Sequence, residues 1–69
     1  MQTTGFVAMR CRYPGTGKIG TFLFTDVAGE RHPLSPNFLD FAELHNWLKE
    51  NGYKEVSGTF AGEYSKEDS

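Results

Sequence analysis

The sequence contains a single cysteine, Cys11, and therefore cannot form an internal disulfide bond. This excludes the disulfide-rich secreted scaffolds that stabilise many chains of similar length. No apolar run approaches the ~20 residues that a membrane-spanning helix needs, and the first residues lack the basic and apolar regions of a signal peptide. We therefore expect a cytoplasmic protein without a membrane partner.

Basic residues are also scarce in this chain. Seven lysines and arginines stand against nine acidic residues, which gives a net charge of −2. Residues 1–35 carry four basic and two acidic side chains, for +2, whereas residues 36–69 carry three basic and seven acidic ones, for −4. So few cations release few counterions from a nucleic acid, and a nucleic-acid partner is therefore not favoured.

One stretch, residues 37–50, has the apolar spacing of an amphipathic helix. Its stripe consists of Phe38, Phe41, Leu44 and Leu48. Ser35 or Asn37 is favoured as the N-cap over Asp40, because a start at Asp40 would leave Phe38 outside the stripe. The polar residues fall mostly on the other side, so the helix should cover one face of a sheet.

Other positions predict breaks in regular structure. Gly52, with Lys49 in the preceding turn, indicates the end of the helix in a left-handed cap. Residues 14–17 (Pro-Gly-Thr-Gly) form a dense turn signal. Residues 28–36 contain two prolines and a glycine, and we expect a loop there because proline cannot donate a backbone hydrogen bond.

Three segments, residues 5–13, 19–27 and 53–64, have the composition and alternation of β-strands. They predict an α+β fold of order β-β-α-β in residues 1–64. We expect a three-stranded antiparallel sheet of order 2-1-3 with one helix packed on one face, since this order makes every neighbouring pair antiparallel. The polar residues 65–69 predict a disordered tail.

The register of the first hairpin decides which residues face the helix, because a slip of one residue exchanges the two faces. A four-residue turn places Met9 opposite Phe22 and Val7 opposite Phe24. Leu23 then lies on the outer face, away from the helix. We favour this register because two buried phenylalanines supply more core than leucine and isoleucine would.

A three-residue turn gives the alternative register, with Met9 opposite Leu23. Phe22 and Phe24 would then emerge beside Arg10 and Arg12. Aromatic rings among guanidinium groups are typical of single-stranded nucleic-acid binding, in which the bases stack on the rings.

The turn at residues 14–18 (Pro-Gly-Thr-Gly-Lys) is similar to a fragment of a phosphate-binding loop. The full motif requires a glycine where Arg12 stands and a serine or threonine where Ile19 stands, and it must open a helix. A strand follows here instead, so a hairpin turn with an exposed lysine is the better interpretation.

No catalytic or metal-binding spacing is present. Cys11 lies in mid-strand without a neighbouring base. His32 and His45 are far apart in the sequence, and neither forms a metal-ligand pattern with the cysteine or with a carboxylate. We therefore expect no enzymatic activity, no cofactor and no metal.

These observations predict a small protein-binding module that acts as a regulator or inhibitor by occupying the surface of a partner protein. Compact acidic chains of this type are common among inhibitors carried by phages and mobile elements, such as anti-CRISPR proteins; the similarity is one of type, without a shared motif. The predicted contact residues are Phe6, Arg10, Arg12, Ile19 and Leu23 on the outer sheet face, with Asp40, Glu43 and Trp47 on the helix.

Two further arrangements stay open. The acidic helix surface would suit a basic, nucleic-acid-binding partner protein. A homodimer through outer sheet faces or edges is compatible with the same surface. The alternative function is weak binding of single-stranded nucleic acid by the basic and aromatic face of the hairpin.

Overall fold

The computed structural model describes residues 1–56 and 62–67. The elements in chain order are β1 (Gln2–Arg12), β2 (Ile19–Val27), β3 (Glu30–Pro33), α1 (Phe41–Glu50), β4 (Lys54–Glu55) and β5 (Glu63–Glu67). The strands form one antiparallel sheet of order β3-β2-β1-β5-β4. The described part of the chain is therefore mostly β, with a five-stranded sheet and one helix.

The prediction of a three-stranded sheet of order 2-1-3 is wrong, and the first reason is β3. The expected loop at residues 28–36 contains this strand, which pairs with β2 from Val27↔Glu30 to Phe24↔Pro33. Ala28 and Gly29 form the connecting turn with φ of 54° and 83°. A two-residue hairpin needs such left-handed values because they match the twist of the strands.

The second reason lies after the helix, where the expected single strand at residues 53–64 comprises β4 and the beginning of β5. Residues 57–61 of that prediction lie outside the described residues. β5 then continues through Ser65, Lys66 and Glu67, which pair with Thr4, Thr3 and Gln2. These three residues of the predicted tail are therefore part of the sheet.

The residues that follow β3 continue to form backbone hydrogen bonds with β2. Leu34 N donates to Leu23 O at 2.7 Å, and Thr21 and Phe38 exchange two backbone hydrogen bonds. Backbone amide positions of successive residues point to opposite sides of a strand. Because the amide of Leu34 points toward β2, the backbone nitrogen of Pro33 points to the outer edge of the sheet. Proline has no amide hydrogen to offer there, which makes this edge less able to recruit another strand.

The register of the first hairpin changes along its length. Near the turn, Arg12 pairs with Ile19 and Cys11 with Gly20, as a four-residue turn requires. Beyond a bulge at residues 9 and 10, Ala8 pairs with Phe22 and Val7 with Leu23. The extra residue on β1 breaks the register that we extrapolated from the turn.

The helix begins later than predicted. Asp40 is the N-cap and its side chain accepts a hydrogen bond from Glu43 N, whereas the sequence favoured Ser35 or Asn37. Phe38 lies outside the helix and still contacts Trp47, with ring centroids 6.5 Å apart. The predicted end is confirmed, since α1 closes at Glu50 and Gly52 has a φ of 84°.

Each face of the sheet carries its own apolar cluster. On one face, Leu23 packs with Leu44 and Leu48 of the helix and with Tyr53 and Tyr64. We call this the helix-side cluster. The other cluster contains Ala8, Phe22 and Phe24, with Cys11 and Tyr13 packed against it. Phe22 and Phe24 alternate with Leu23 along β2, which places the second cluster on the face that the helix does not cover.

Candidate functional site

The uncovered face of the sheet carries a group of aromatic rings, which we call the aromatic face. It consists of Phe6, Tyr13, Phe22 and Phe24, with the guanidinium of Arg31. Ring centroids are 6.3 Å apart for Phe6 and Phe24, and 6.2 Å for Phe22 and Phe24. Such distances are typical of favourable aromatic pairs, so the rings stabilise one another without a covering layer.

The rings of this face differ in exposure. Phe22 is 0% exposed and Phe24 is 9% exposed, whereas Phe6 is 41% exposed. Tyr13 lies edge-on against Phe22 at 5.0 Å and donates its hydroxyl hydrogen to Ser35 O at 2.8 Å, which fixes it over the buried ring. Phe6 therefore presents the most accessible phenylalanine ring of the aromatic face.

Arg31 borders the aromatic face on the β3 side. Its Cζ lies 4.7 Å from the centroid of Phe24, within the range of a cation–π contact. On the opposite side, Glu63 of β5 pairs with Phe6 of β1. The face thus has an apolar centre and charged neighbours on two sides, the arrangement found in protein-binding interfaces.

The structure separates the predicted contact residues of the sheet. Phe6 belongs to the aromatic face as expected. Leu23 is 0% exposed beneath the helix and cannot contact a partner in the folded protein. Cys11 packs against the cluster of Phe22 and Phe24, and its cross-strand partner is Gly20. The next pair along the two strands is Arg12 with Ile19, and neighbouring pairs point to opposite faces of a sheet. Arg12 and Ile19 therefore lie on the opposite face from Phe6.

Arg10 occupies the bulge of β1 and is exposed. Its φ of 54° is a left-handed value that side chains other than glycine rarely adopt. This conformation costs roughly 1–2 kcal/mol. Bulges often direct a side chain out of the ladder, so Arg10 stays a candidate contact residue at the margin of the sheet.

The predicted contact residues of the helix have structural roles. Asp40 Oδ1 accepts from Glu43 N at 3.0 Å, and Glu43 Oε2 accepts from Leu39 N at 3.3 Å. This pair caps the first turn of the helix. Trp47 lies between Phe38, at 6.5 Å, and Tyr53, at 6.1 Å, and packs against the helix-side cluster. Capping and packing within the chain therefore account for the positions of these three side chains without a partner protein.

The turn between β1 and β2 uses its amides internally. Thr16 N and Gly17 N donate to Tyr13 O, and Lys18 N donates to Thr16 Oγ1. A phosphate loop needs such amides free to hold the anion, so this geometry supports the interpretation as a plain hairpin turn.

Within the described residues, neither the contact of the cysteine nor a metal-ligand cluster indicates catalytic chemistry. Cys11 donates its thiol hydrogen to Met9 O at 3.4 Å. Among residues 1–56 and 62–67, no group of three histidine, cysteine, aspartate or glutamate side chains could hold a metal ion. Across the same residues, no helix has the length and apolar character needed to cross a membrane.

Sequence reasoning missed Arg31 and Tyr13 as members of the site. Arg31 fell in the expected loop, and Gly29 was the turn residue that could have indicated a two-residue hairpin there. Tyr13 lies beyond the bulge at residues 9 and 10, and this bulge brings Tyr13 and Phe6 to the same face of the sheet. A bulge without glycine leaves little trace in a sequence.

Comparisons of this chain with family models, with curated proteins and with solved structures find no match. Function is therefore inferred from the residues of the aromatic face.

Proposed function

We propose that this chain is a non-enzymatic protein-binding module that acts as a regulator or inhibitor by covering part of a partner protein with its aromatic face. The observation that carries the proposal is Phe6, a ring that is 41% exposed and lies against the buried Phe24 of the aromatic face. Burying such a ring against a partner removes apolar surface from water and orders few new groups, because its neighbours are already packed.

Arg31 adds specificity to this surface. Its guanidinium is already held over Phe24, so little side-chain freedom is lost when a partner binds. Aromatic and arginine side chains dominate the energetics of known interfaces. The matching partner surface has an apolar pocket for Phe6 and a carboxylate within reach of Arg31.

Nucleic-acid binding by the same face has less support. Stacking requires rings that a base can reach, and Phe22 and Phe24 are 0% and 9% exposed. Arg12, one of the two arginines expected beside them, lies on the other face. Arg31 lies over Phe24 and Arg10 lies in the bulge at the margin of the sheet, and so few cations give little counterion release.

The test is a pull-down with the tagged chain, with and without nuclease, using the wild type and the Phe6→Ala/Arg31→Ala variant. We expect a stoichiometric protein partner that survives nuclease, and at least about a tenfold loss of binding in the variant. Leu39→Ala is the matched control, because Leu39 is 88% exposed and lies outside the aromatic face.

Thermal melting of each variant separates lost binding from lost folding. A partner that the folded double variant captures as well as the wild type does would contradict the role of the aromatic face. A partner that disappears with nuclease would favour nucleic acid. A doubling of mass at higher protein concentration, absent in the double variant, would identify a second copy as the occupant.

A further inference from the structure

The uncovered face of the sheet extends past the aromatic rings onto β5. Glu63 is the cross-strand partner of Phe6, and such partners project from the same face of a sheet. Side chains alternate along a strand, so Ser65 and Glu67 also lie on this face, whereas Tyr64 packs in the helix-side cluster. Carboxylates therefore stand on the β5 side of the exposed Phe6 ring.

Charges of both signs lie on the uncovered face. Asp26 pairs with Arg31 on the β3 side, and Lys54 pairs with Ser65 on the β4 side. By this register, the charged members among the described residues are Arg31 and Lys54 against Asp26, Glu63 and Glu67, two positive and three negative charges, with Arg10 at the margin in the bulge. Lys66 is not a member, because its Nζ lies 5.0 Å from the ring of Tyr53 in the helix-side cluster.

Arg31 and Glu63 occupy equivalent places on the two sides of β1. The guanidinium of Arg31 lies over Phe24 of β2, one strand from β1, and Glu63 lies on β5, one strand from β1 in the other direction. Phe24 and Glu63 are both partners of Phe6, so the two charges stand in one row across the sheet. Strands are about 4.8 Å apart, which separates the charges by roughly 10 Å, too far for an ion pair within one chain.

A two-fold rotation makes this row complementary to itself. The axis runs parallel to β1, above Phe6, and the rotation lays the uncovered face of one copy on that of another with left and right exchanged. Phe6 then meets Phe6 of the other copy, and each Arg31 guanidinium lies opposite Glu63 of the other copy. Sheets packed face to face lie about 10 Å apart, a gap that an arginine and a glutamate side chain span together.

The remaining charges of the face are compatible with the same rotation. Asp26 follows Phe24 by two residues, as Ser65 follows Glu63, so Asp26 lies over Ser65 of the other copy and beside its Lys54. Arg31 begins in this row too, but its guanidinium leans over Phe24 and away from Lys54.

Glu67 lies one row further toward the end of β5. There it meets the turn at Ala28 and Gly29, which carries no charged side chain. Within the described face, the rotation therefore brings no pair of like charges into direct opposition.

We propose that two copies of this chain pack through their uncovered faces about this axis, with Phe6 at the centre and an Arg31–Glu63 pair on each side. The inference rests on the proposed function, because it names what covers the aromatic face when no other protein does. The second copy keeps the contact surface covered until the partner protein displaces it.

The placement of charge favours a second copy over an unrelated occupant. An isologous interface requires that every group finds its complement on the same face, at the position related by the two-fold axis. A face with one sign of charge on both sides of Phe6 would repel its own copy. Here the cation and the carboxylate flank the ring at equal distances, and the ring, which is 41% exposed, covers its counterpart.

The size of the face sets the strength of the contact. Five strands at about 4.8 Å give a face roughly 24 Å wide, which is at the low end of what a specific interface needs. We therefore expect a dissociation constant on the order of 100 μM. A contact of this strength forms at high concentration and yields to a tighter partner.

The first measurement is sedimentation equilibrium of the full chain from about 10 μM to 1 mM. The wild type should show a monomer–dimer equilibrium. Arg31→Glu and Glu63→Arg should each weaken the dimer at least about tenfold, because each variant places like charges opposite one another at both pairs. A wild type that stays monomeric throughout, or single variants that dimerise as it does, would overturn the proposal.

Mixing the two variants tests the geometry of the pair. In an equimolar mixture each introduced glutamate faces an introduced arginine, and the unchanged Glu63 of one variant faces the unchanged Arg31 of the other. The mixed dimer should therefore form with an affinity within about threefold of the wild type. Failure of the mixture to recover dimerisation would refute the pairing.

Matched controls separate the pair from net charge. Lys18→Glu and Glu50→Arg change the net charge by the same amounts, in the turn between β1 and β2 and at the end of the helix. Each should change the dissociation constant less than about twofold. Effects as large as those of Arg31→Glu and Glu63→Arg would show that net charge alone controls association, and would overturn the proposal.

A measurement on the wild type alone covers the case in which a variant does not fold, which thermal melting reveals. Dilution of the labelled chain across the dissociation constant should shift the amide NMR signals of Thr4, Phe24 and Ser65. The amides of α1 should stay unchanged, because the helix lies on the other side of the sheet. Shifts confined to α1 would place the contact there and refute the proposal.

The variant Arg31→Glu/Glu63→Arg distinguishes this inference from the proposed function. It exchanges the two charges within one chain and stays complementary to itself, so it should dimerise as the wild type does. It presents a carboxylate where the partner protein binds the guanidinium of Arg31, so it should lose that protein in the pull-down. A monomeric wild type that still captures a protein through Phe6 and Arg31 would overturn the dimer alone, and a dimer that captures no other protein would overturn the proposed function alone.

Discussion

The two faces of the sheet bury apolar residues in different ways. On the helix side, Leu23, Leu44 and Leu48 are each 0% exposed because a helix covers them. On the aromatic face no element of the described chain forms a second layer, and the rings shield one another. The helix side therefore resembles an ordinary core, whereas the aromatic face leaves the ring of Phe6 exposed.

This difference teaches how a chain of 69 residues can combine stability with a contact surface. Small domains bury a smaller share of their surface than large domains do, and they have little stability to spare. Here the helix-side cluster supplies most of the stability. The aromatic face is only partly shielded, so it leaves apolar surface for a partner. Substitutions on the two faces should therefore differ in whether they affect folding or binding.

The largest expected effect is that of Leu44→Ala on the helix side. It removes buried methyl groups and leaves a cavity, at a cost of about 2–5 kcal/mol in the free energy of unfolding. A chain of this length has roughly 3–10 kcal/mol in total, so the variant should be partly or fully unfolded. Urea denaturation followed by circular dichroism measures the loss.

Phe6→Ala is the matched change on the aromatic face. Because the ring is 41% exposed in the free protein, its removal should cost about 1 kcal/mol. If Leu44→Ala and Phe6→Ala lowered the free energy of unfolding equally, both faces would contribute equally to stability. The proposed difference between a covered core and a contact surface would then be wrong.

The next effect compares two glycines that face the two clusters. A Cβ at Gly5 would lie 2.7 Å from Leu34 Cδ1, 2.9 Å from Leu23 Cγ and 2.9 Å from the backbone oxygen of Phe24. Gly5→Ala should therefore cost about 1–3 kcal/mol, because the carbonyl cannot move without disturbing the sheet.

Gly20→Ala should cost less, although its Cβ would also meet a neighbour, the side-chain amide of Asn37. Within the described residues Asn37 Oδ1 has no hydrogen-bond partner, so a shift of this oxygen breaks no hydrogen bond. Thermal melting of the two variants decides the order. A larger loss for Gly20→Ala would mean that Asn37 is held as rigidly as the helix-side core.

The sequence predicted the local elements better than their assembly. The stripe of Phe41, Leu44 and Leu48 located the helix, since a 3.6-residue period reports directly on one face. Its start was misplaced because Phe38 packs on Trp47 from outside the helix. Tertiary packing places an apolar residue beside a helix as readily as within it, and periodicity alone does not distinguish the two.

The sequence predicted part of the candidate site, and the bulge in β1 explains why Leu23 was placed on the wrong face. Phe6 was placed on the uncovered face, but Leu23 was placed there too, because the register was extrapolated from the turn across residues 9 and 10. One extra residue exchanges the two faces of a strand beyond it. Arg31 escaped notice because two prolines nearby suggested a loop, although Pro33 is compatible with an edge strand.

The smallest expected effect concerns Tyr64 on the helix side, at alkaline pH. Burial, and then Glu55, raises the pKa of its hydroxyl above the value of 10.0 that it has when unfolded. The folded protein thus holds this proton more tightly than the unfolded chain does. The resulting stability is fully present below about pH 10 and is lost as the pH rises through the folded pKa.

Tyr64→Phe isolates this contribution, since it removes the titrating group and retains the ring. Urea denaturation of both proteins at several values between about pH 8 and pH 11 should give a steeper fall in unfolding free energy for the wild type. Glu55→Gln should give an intermediate fall, because the burial that is the larger cause remains. Parallel pH profiles for wild type and Tyr64→Phe would show that the hydroxyl reaches water, and that the helix side is less completely covered there than the 3% exposure of Tyr64 indicates.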